Sequence, residues 1–489
     1  MIVKILRDIL YGVTIEKIIG STSIEVNAVA FDSRKIERGA LFVAQKGVVV
    51  DGHDYIDLAI KKGAIAIVCE ELPSVCEKGV VYVVTSDASG ALGILSLNFF
   101  NNPSEQLTLI GVTGTNGKTT IASLLYELFT GLGYPCGLIS TVKIEYQNVR
   151  QNNTHTTPDA LSVNYHMSRM VEAGISHCFM EVSSHGIEQK RIQGLTFAGG
   201  IFSNLSHDHL DYHGDFKSYR DTKKSFFDLL PKTAFALTNI DDKNGAFMLQ
   251  NTKAKKVSYA VKQHANYKAQ ILEAQFSGML LKIQDQEVWT SLVGEFNVQN
   301  LLAVYAVGDL LGEPSLSVLQ QISLLKFVPG RFETFQTPQN ITVVIDYAHT
   351  PDALENVLKT INQIRTKNET LITVIGCGGN RDKEKRPMMG RKATDLSDKV
   401  IFTSDNPRDE DPATIIAEIM AGVSPENFKK AIKVTQRDEA ISVAGNLANP
   451  GDIVLIAGKG HESYQEIKGE KFPFSDFEIA QKIFLNTNE

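Results

Sequence analysis

Several features that would place a chain outside the ordinary globular proteins are missing from this one. Its 489 residues include five cysteines (Cys69, Cys76, Cys136, Cys178 and Cys377), scattered, odd in number and without a CxxC pair. Neither a disulfide framework nor a zinc site is expected, and a reducing cytoplasm is the expected compartment. No apolar run approaches the ~18 residues of a membrane span; AIAIVC at 64–69 is typical of the longest. The opening MIVKILRDILYG has the outline of a secretory signal, but Lys4, Arg7 and Asp8 interrupt it and no cleavage pattern follows. Neither charge sign dominates. Against 56 acidic residues stand 49 basic ones, a formal net charge of −7, which argues against nonspecific binding to nucleic acid or anionic membrane. Repeats and low-complexity segments are also lacking. A soluble chain of this length, at roughly 100–200 residues per domain, is expected to form three domains.

Punctuation and hydrophobic pattern divide the chain into residues 1–105, 106–330 and 331–489. The first block alternates β-like runs (VNAVAF, GALFVA, AIAIVC, VVYVV) with helical patterns and breaks at NNPSEQ. The second opens with the apolar LTLIGV, a glycine-rich turn and a helix-spaced segment, the signature of a buried parallel strand feeding a helix. It ends near the VPGR turn at 328–331. In the third, ITVVIDYA, LITVIGCGG, KVIFTSDNP and DIVLIAGKG are strand-like, and several end in glycine or polar clusters. Open parallel sheets present ligands at those strand ends. The fold class is therefore α/β: a small N-terminal domain, a central P-loop parallel-sheet domain and a C-terminal Rossmann-like domain.

The segment GVTGTNGKTT at 111–120 carries the most specific chemistry. Thr113, Gly114, Thr115, Asn116 and Gly117 would wrap backbone N–H groups around phosphate oxygens at a helix N-terminus. Lys118 would reach the β- and γ-phosphates and Thr119 a magnesium ion. The usual pattern has a glycine where Val112 stands; here glycines fall at 111, 114 and 117.

That loop resembles the Mur ligase family and the related folylpolyglutamate synthetases, and the likeness runs on. Matching motifs are Thr156-Thr157-Pro158-Asp159, EVSSHG at 181–186, Asn204, DHLDYHG at 208–214, GEFNVQN at 294–300, PGRFE at 329–333, DYAHTPD at 346–352 and GKGHE at 458–462. Asp32-Ser33-Arg34 with GALFVAQKG and DGHDY is similar to the UDP-binding domain of the branch that adds the third residue of the peptidoglycan stem.

The resemblance implies an ATP- and Mg²⁺-dependent amide ligase, monomeric, acting on small molecules. ATP would phosphorylate the γ-carboxylate of UDP-MurNAc-L-Ala-D-Glu, and an amine would displace the phosphate. Lys118, Arg331, Glu181, His209 and Lys223 are its candidate catalytic residues, with Thr119, Glu181, His209 and Lys223 on the metal side. Lys223 would act as a CO₂-derived carbamate, because it stands twelve positions after Asp211. By residue type alone FKSYRDTKKSFF reads as a solvated helix face, Glu181 suits either a magnesium ligand or a helix cap, and Arg331 suits either phosphate or solvent. Asn297 and Asn300 are carried over to adenine and Asp346 to ribose; Ser33 to the uridine diphosphate; and Thr156, Thr157, Ser183, Gln189 and Arg191 to the muramoyl dipeptide.

Asp405-Asn406-Pro407-Arg408 reads locally as a turn closing a strand. In the family this tetrad reads the incoming amino acid, and its DNPR form resembles enzymes that take meso-diaminopimelate rather than lysine. A guanidinium binds a distal carboxylate bidentately, and lysine lacks that group. Arg381, Gly458 and Glu462 complete the expected set, Glu462 facing the distal ammonium. A folylpolyglutamate synthetase would not be expected to carry the DSR domain or DNPR. A P-loop switch would hydrolyse ATP with no amine acceptor.

Overall fold

The computed structural model describes residues 2–47, 50–153, 155–208 and 210–485. Three sheets organise it, built from strands lying between residues 17 and 84, 108 and 290, and 333 and 457. The N-terminal sheet has five strands in the order Lys17–Ile19, Val81–Val84, Ala64–Cys69, Ala40–Val43, Ala28–Ala30, parallel except for the first pair. Asp32 and Ser33 follow its edge strand, where Asp32 caps a short turn by accepting from the Arg34 N–H.

The central sheet has eleven strands, and its middle is parallel. Thr108–Thr113 lies between His177–Glu181 and Gly199–Phe202, and the chain's direction of winding reverses there. Such a switch point opens a crevice at the carboxyl ends of the strands. Thr108–Thr113 is buried from Leu109 onward, as a strand covered on both faces must be. Val112 is fully buried. A side chain at Gly111 would stand 2.6 Å from the Phe226 ring, so this glycine makes room for packing. Antiparallel additions extend both edges: the hairpin 143–152 on one side and the strands 267–290 on the other. The sequence reading assigned no strands to either segment. Their alternating patterns are those of half-solvated strands.

Helix Glu295–Leu310 is buried on nearly every side, from Val298 through Gly308, and packs on the phosphate-loop helix Lys118–Gly131. A helix apolar nearly all round belongs in an interior, and Asn297 and Asn300 are buried in its first two turns, Asn300 beside the Gly117 position of the phosphate loop.

The C-terminal sheet has six strands, in the order Glu333–Gln336, Thr342–Asp346, Ile453–Ala457, Leu371–Ile375, Lys399–Phe402, Ala431–Lys433. All but the first pair are parallel. The segments DYAH, GKGHE, CGGNR and SDNPR therefore leave the sheet at the same end. Among the described residues no helix is long and apolar enough to cross a membrane, and all five cysteines are free.

Candidate active site

Gly114 and Gly117 hold positive φ angles, and side chains there would stand 2.0 Å from Ser203 Oγ and 2.7 Å from Asn300 Oδ1. Only glycine fits either position. The neighbouring strand's end clamps the loop: Thr115 N–H donates to Asn204 O at 2.8 Å, Asn116 N–H to Asn204 Oδ1 at 2.9 Å, and Ser203 Oγ to Asn116 O at 2.5 Å.

Three cations converge on this loop. Lys118 Nζ folds back onto the carbonyls of Gly114 and Thr115, at 2.9 and 2.8 Å. Lys223 Nζ, on helix Phe216–Asp228, donates to Gly114 O at 2.8 Å. Arg331 reaches across from the C-terminal side, donating to Thr119 Oγ1 at 3.3 Å while its guanidinium stacks 4.4 Å from the Tyr347 ring centre. Arg331 Nε is buried without a hydrogen-bond partner among the described residues. Burial lowers the Lys118 pKa, and burial together with the Lys118 charge lowers that of Lys223 well below the ordinary lysine value. The adjacent Lys224 points elsewhere, into an ion pair with Asp228 at 2.7 Å. The solvated-face reading is thereby corrected for both lysines, Lys223 being 1% and Lys224 7% exposed.

Glu181 ends its strand fully buried. It accepts from Thr141 N–H at 2.7 Å and Thr141 Oγ at 3.2 Å, and caps no helix of its own. His209 lies outside the described residues. Among the described residues no group of three or more His, Cys, Asp and Glu is gathered for a metal. The oxygen donors of Glu181 and Thr119 nevertheless suit Mg²⁺, which is ordinarily held by one or two carboxylates plus substrate phosphates.

Asn297 and Asn300 are 2% and 6% exposed and bonded to each other at 3.2 Å. Asp346 accepts from the N–H groups of Phe332 and Ala348, both at 2.7 Å. Burial nevertheless raises its carboxyl pKa to about 6, against the opposing charge of Arg331. Thr157, Ser183, Gln189 and Arg191 form one bonded wall. Thr157 Oγ donates to Glu181 O at 2.9 Å, Ser183 N–H donates to Thr157 Oγ at 2.9 Å, and Arg191 spans Thr157 O and Gln189 Oε1, both at 2.6 Å. Thr156 joins through Thr141, 3.0 Å away. Ser33 is buried in the N-terminal domain.

At the far end, Asn406 Nδ2 donates to Glu462 Oε2 at 2.8 Å, and its Oδ1 accepts from Lys459 Nζ at 2.9 Å and Glu466 N–H at 3.0 Å. Gly458 holds φ +115°, and a side chain there would meet Asp405 Oδ2 at 2.8 Å. A side chain at Gly379 would stand 1.9 Å from the Pro407 carbonyl oxygen. Arg408 donates through Nε to Glu466 Oε2 at 3.0 Å. Arg381 is exposed near Gly378, opposite Arg408. Lys459 and Glu466 were not picked out from the sequence. Lys459 sits inside the quoted GKGHE segment, which was a usable signal; Glu466 had none. Arg386 and Arg437, fully buried against Glu410 and Asp476, brace the same loops.

The two ends are connected. Thr119 touches Arg331, Arg331 stacks on Tyr347, and Tyr347 lies 5.1 Å from the His461 ring, beside Glu462 and hence Asn406. Asn116 also bonds Asp352 at 3.3 Å, and His207 approaches Asp382 at 3.5 Å.

A phosphate loop at the switch point of a parallel sheet, roofed by a second α/β domain that lends it an arginine, defines a three-domain ATP-dependent ligase. Family profiles agree: "Mur ligase family, catalytic domain" matches residues 25–96, "Mur ligase middle domain" 112–308, and "Mur ligase, glutamate ligase domain" 330–460. The chain is 50% identical over 481 residues to the UDP-N-acetylmuramoyl-L-alanyl-D-glutamate--2,6-diaminopimelate ligase of Phocaeicola vulgatus, covering 98% of this chain and 99% of that one. It is 40% identical over 98% of its length to the Clostridioides difficile ligase of the same name, covering 99% of that protein. A solved structure of such a ligase superposes with a TM-score of 0.69 at 31% identity, over 98% of both chains. Mycobacterium tuberculosis folylpolyglutamate synthase complexed with ADP shares the fold alone, with a TM-score of 0.62 at 17% identity over 76% of this chain and 92% of that one. The chain belongs to the Mur ligase family.

Proposed function

We propose that this enzyme joins meso-diaminopimelate to the D-glutamyl γ-carboxylate of UDP-MurNAc-L-Ala-D-Glu at the expense of ATP, in the cytoplasm, for peptidoglycan and hence for cell shape and division. The observation that carries this reading is the 50% identity to the Phocaeicola vulgatus ligase across 98% of the chain.

The division of labour follows the charges. Residues 113–119 cradle the triphosphate, Lys118 leaving its loop carbonyls for the β- and γ-phosphates. Arg331 closes from the opposite side, where its buried Nε lacks a partner among the described residues. Asn297 and Asn300 hold adenine and Asp346 the ribose hydroxyls. Ser33 and residues 1–105 take the uridine diphosphate; Thr156, Thr157, Ser183, Gln189 and Arg191 orient the muramoyl dipeptide. The D-glutamyl carboxylate attacks the γ-phosphorus, ADP departs, and an acyl phosphate forms. Cations fixed around the phosphoryl oxygens favour that transfer because they need no reorganisation as charge moves.

Mg²⁺, when bound, neutralises phosphate oxygens, and Thr119, Glu181, His209 and a carbamate on Lys223 would hold it. Carbamate formation needs a neutral amine, which the burial of Lys223 supplies. The diaminopimelate amine then attacks the acyl carbonyl, and phosphate leaves the tetrahedral adduct. Asp405, Asn406, Pro407, Arg408, Arg381, Gly458 and Glu462 seat the amino acid, Arg408 on its distal carboxylate. The roof formed by residues 331–489 keeps water from the acyl phosphate.

The test is a product balance. One ADP, one phosphate and one UDP-tripeptide should form per turnover, with hydroxylamine trapping the acyl phosphate when the diamino acid is withheld. Steady ATP hydrolysis without the dipeptide would overturn the reading in favour of a switch-type ATPase.

A further inference from the structure

Beyond the tetrad itself, the hairpin Tyr464–Ile467/Glu470–Pro473 engages Arg408 twice. Its backbone adopts Arg408 as an added strand residue: Arg408 N–H donates to Glu466 O at 3.0 Å, and Lys468 N–H donates to Arg408 O at 2.8 Å. Arg408 is thereby held at φ +50°, a left-handed conformation that a long side chain rarely adopts unless its surroundings impose it. Its side chain is engaged as well. Nε donates to Glu466 Oε2 at 3.0 Å and Nη1 to Gly379 O at 2.8 Å.

A guanidinium has five N–H donors. With Nε and one Nη1 hydrogen committed, those left are the remaining Nη1 hydrogen and both on Nη2, which form the end-on fork that matches a carboxylate bidentately. The two side chains are 21% and 26% exposed, open enough for a ligand to arrive yet partly shielded from the screening of bulk salt.

We propose that Glu466 is a specificity-determining positioning residue: it aims Arg408 so that the end-on fork faces the distal carboxylate of the incoming diamino acid. It touches no reacting atom. A free arginine would sample many rotamers and lose most of its advantage for a planar anion. This inference rests on the proposed reaction and goes one step further, naming the group that makes the arginine selective.

The test compares wild type, Glu466→Ala and Glu466→Gln with meso-diaminopimelate and with lysine. In Glu466→Ala, KM for diaminopimelate should rise roughly tenfold, the equivalent of one charge-assisted hydrogen bond. The diaminopimelate-over-lysine ratio of kcat/KM should fall by a similar factor, while KM for ATP and for the dipeptide stays put. Glu466→Gln keeps an acceptor oxygen and should recover most of the ratio. An unchanged ratio in Glu466→Ala, or a lower KM for diaminopimelate because a competing carboxylate has gone, would overturn the proposal. A merely structural role would move all three KM values together and would overturn it too. If wild type itself shows no preference for diaminopimelate, it is the proposed reaction that fails.

Discussion

At the phosphate loop the hydrogen bonds that Lys118, Lys223 and Arg331 make to described residues go to carbonyl and hydroxyl oxygens, while the carboxylates of Glu181, Asp208 and Asp346 act on them electrostatically. At the amino-acid end Lys459, Arg408, Arg386 and Arg437 each face a carboxylate, at 3.0, 3.0, 2.8 and 2.7 Å. The difference matches the ligands. On the proposed reading a polyanion arrives with charge to spare, so a site whose cations are hydrogen-bonded to neutral oxygens gains most of the interaction and breaks few internal ion pairs. A zwitterion is neutral overall and suits a balanced site, in which selectivity comes from geometry. The pKa values carry the same contrast. Burial, and after it a neighbouring cation, lowers both lysines of the loop, whereas Glu410 at the other end is held down at about 2, chiefly by its hydrogen bonds to Arg386.

The sharpest way to break this comparison is at the phosphate end. Lys118→Ala should lower kcat by about 10²–10³-fold, the usual effect of removing one preorganised donor to a charged transition state, as read by ADP release. Lys223→Ala and Lys223→Arg should both lose activity on a similar scale, because arginine stays charged and cannot form the carbamate. Carbon-13 NMR under labelled CO₂ should show a carbamate signal in wild type that neither variant retains. At the balanced end Arg408→Ala should raise KM for diaminopimelate roughly a hundredfold, since it strands a carboxylate, while nucleotide affinity measured by calorimetry is unchanged. Smaller still is the effect of pH on ATP. On the proposed reading Asp346 accepts the ribose hydroxyls more strongly when ionised, and its carboxyl takes up a proton as pH falls through about 6. KM for ATP should therefore rise below that pH and stay flat above it, and Asp346→Asn should remove the bend. The smallest effect on activity belongs to the neighbouring lysine: Lys224→Gln breaks the largely buried pair with Asp228 and the contact with the Phe247 ring, costing roughly 1–3 kcal/mol of stability by chemical denaturation and no activity.

Much of this was legible in the sequence because the phosphate end is local. A strand, three glycines and a lysine within ten residues dictate a loop and its ligand together, and the parallel strands declare themselves as short apolar runs. The family's spacing rule singled out Lys223 against a doublet whose residue types favoured the surface; in the fold both lysines are buried, and only Lys223 turns to the phosphate loop at Gly114 while Lys224 pairs with Asp228. The amino-acid end was half legible. Its tetrad was visible, but the partners that aim it come from far along the chain: Lys459 and Glu466 meet Asn406 and Arg408 across more than fifty residues. Pairing of that kind leaves no trace in local pattern. The antiparallel edges at 143–152 and 267–290 are harder to see for a different reason: Val149–Asn152 and most of Tyr267–Gln275 are exposed and polar, and the one apolar strand among them, Gly278–Ile283, is too short to stand out alone.

The most direct measurement of the central claim is ADP release by the wild-type enzyme, with UDP-MurNAc-L-Ala-D-Glu present and a panel of diamino acids as acceptors. Release should depend on both cosubstrates, with meso-diaminopimelate preferred over lysine by roughly 10⁴ in kcat/KM, as a site built around a polar contact rejects an analogue lacking it. Equal turnover of the two acceptors would contradict the account.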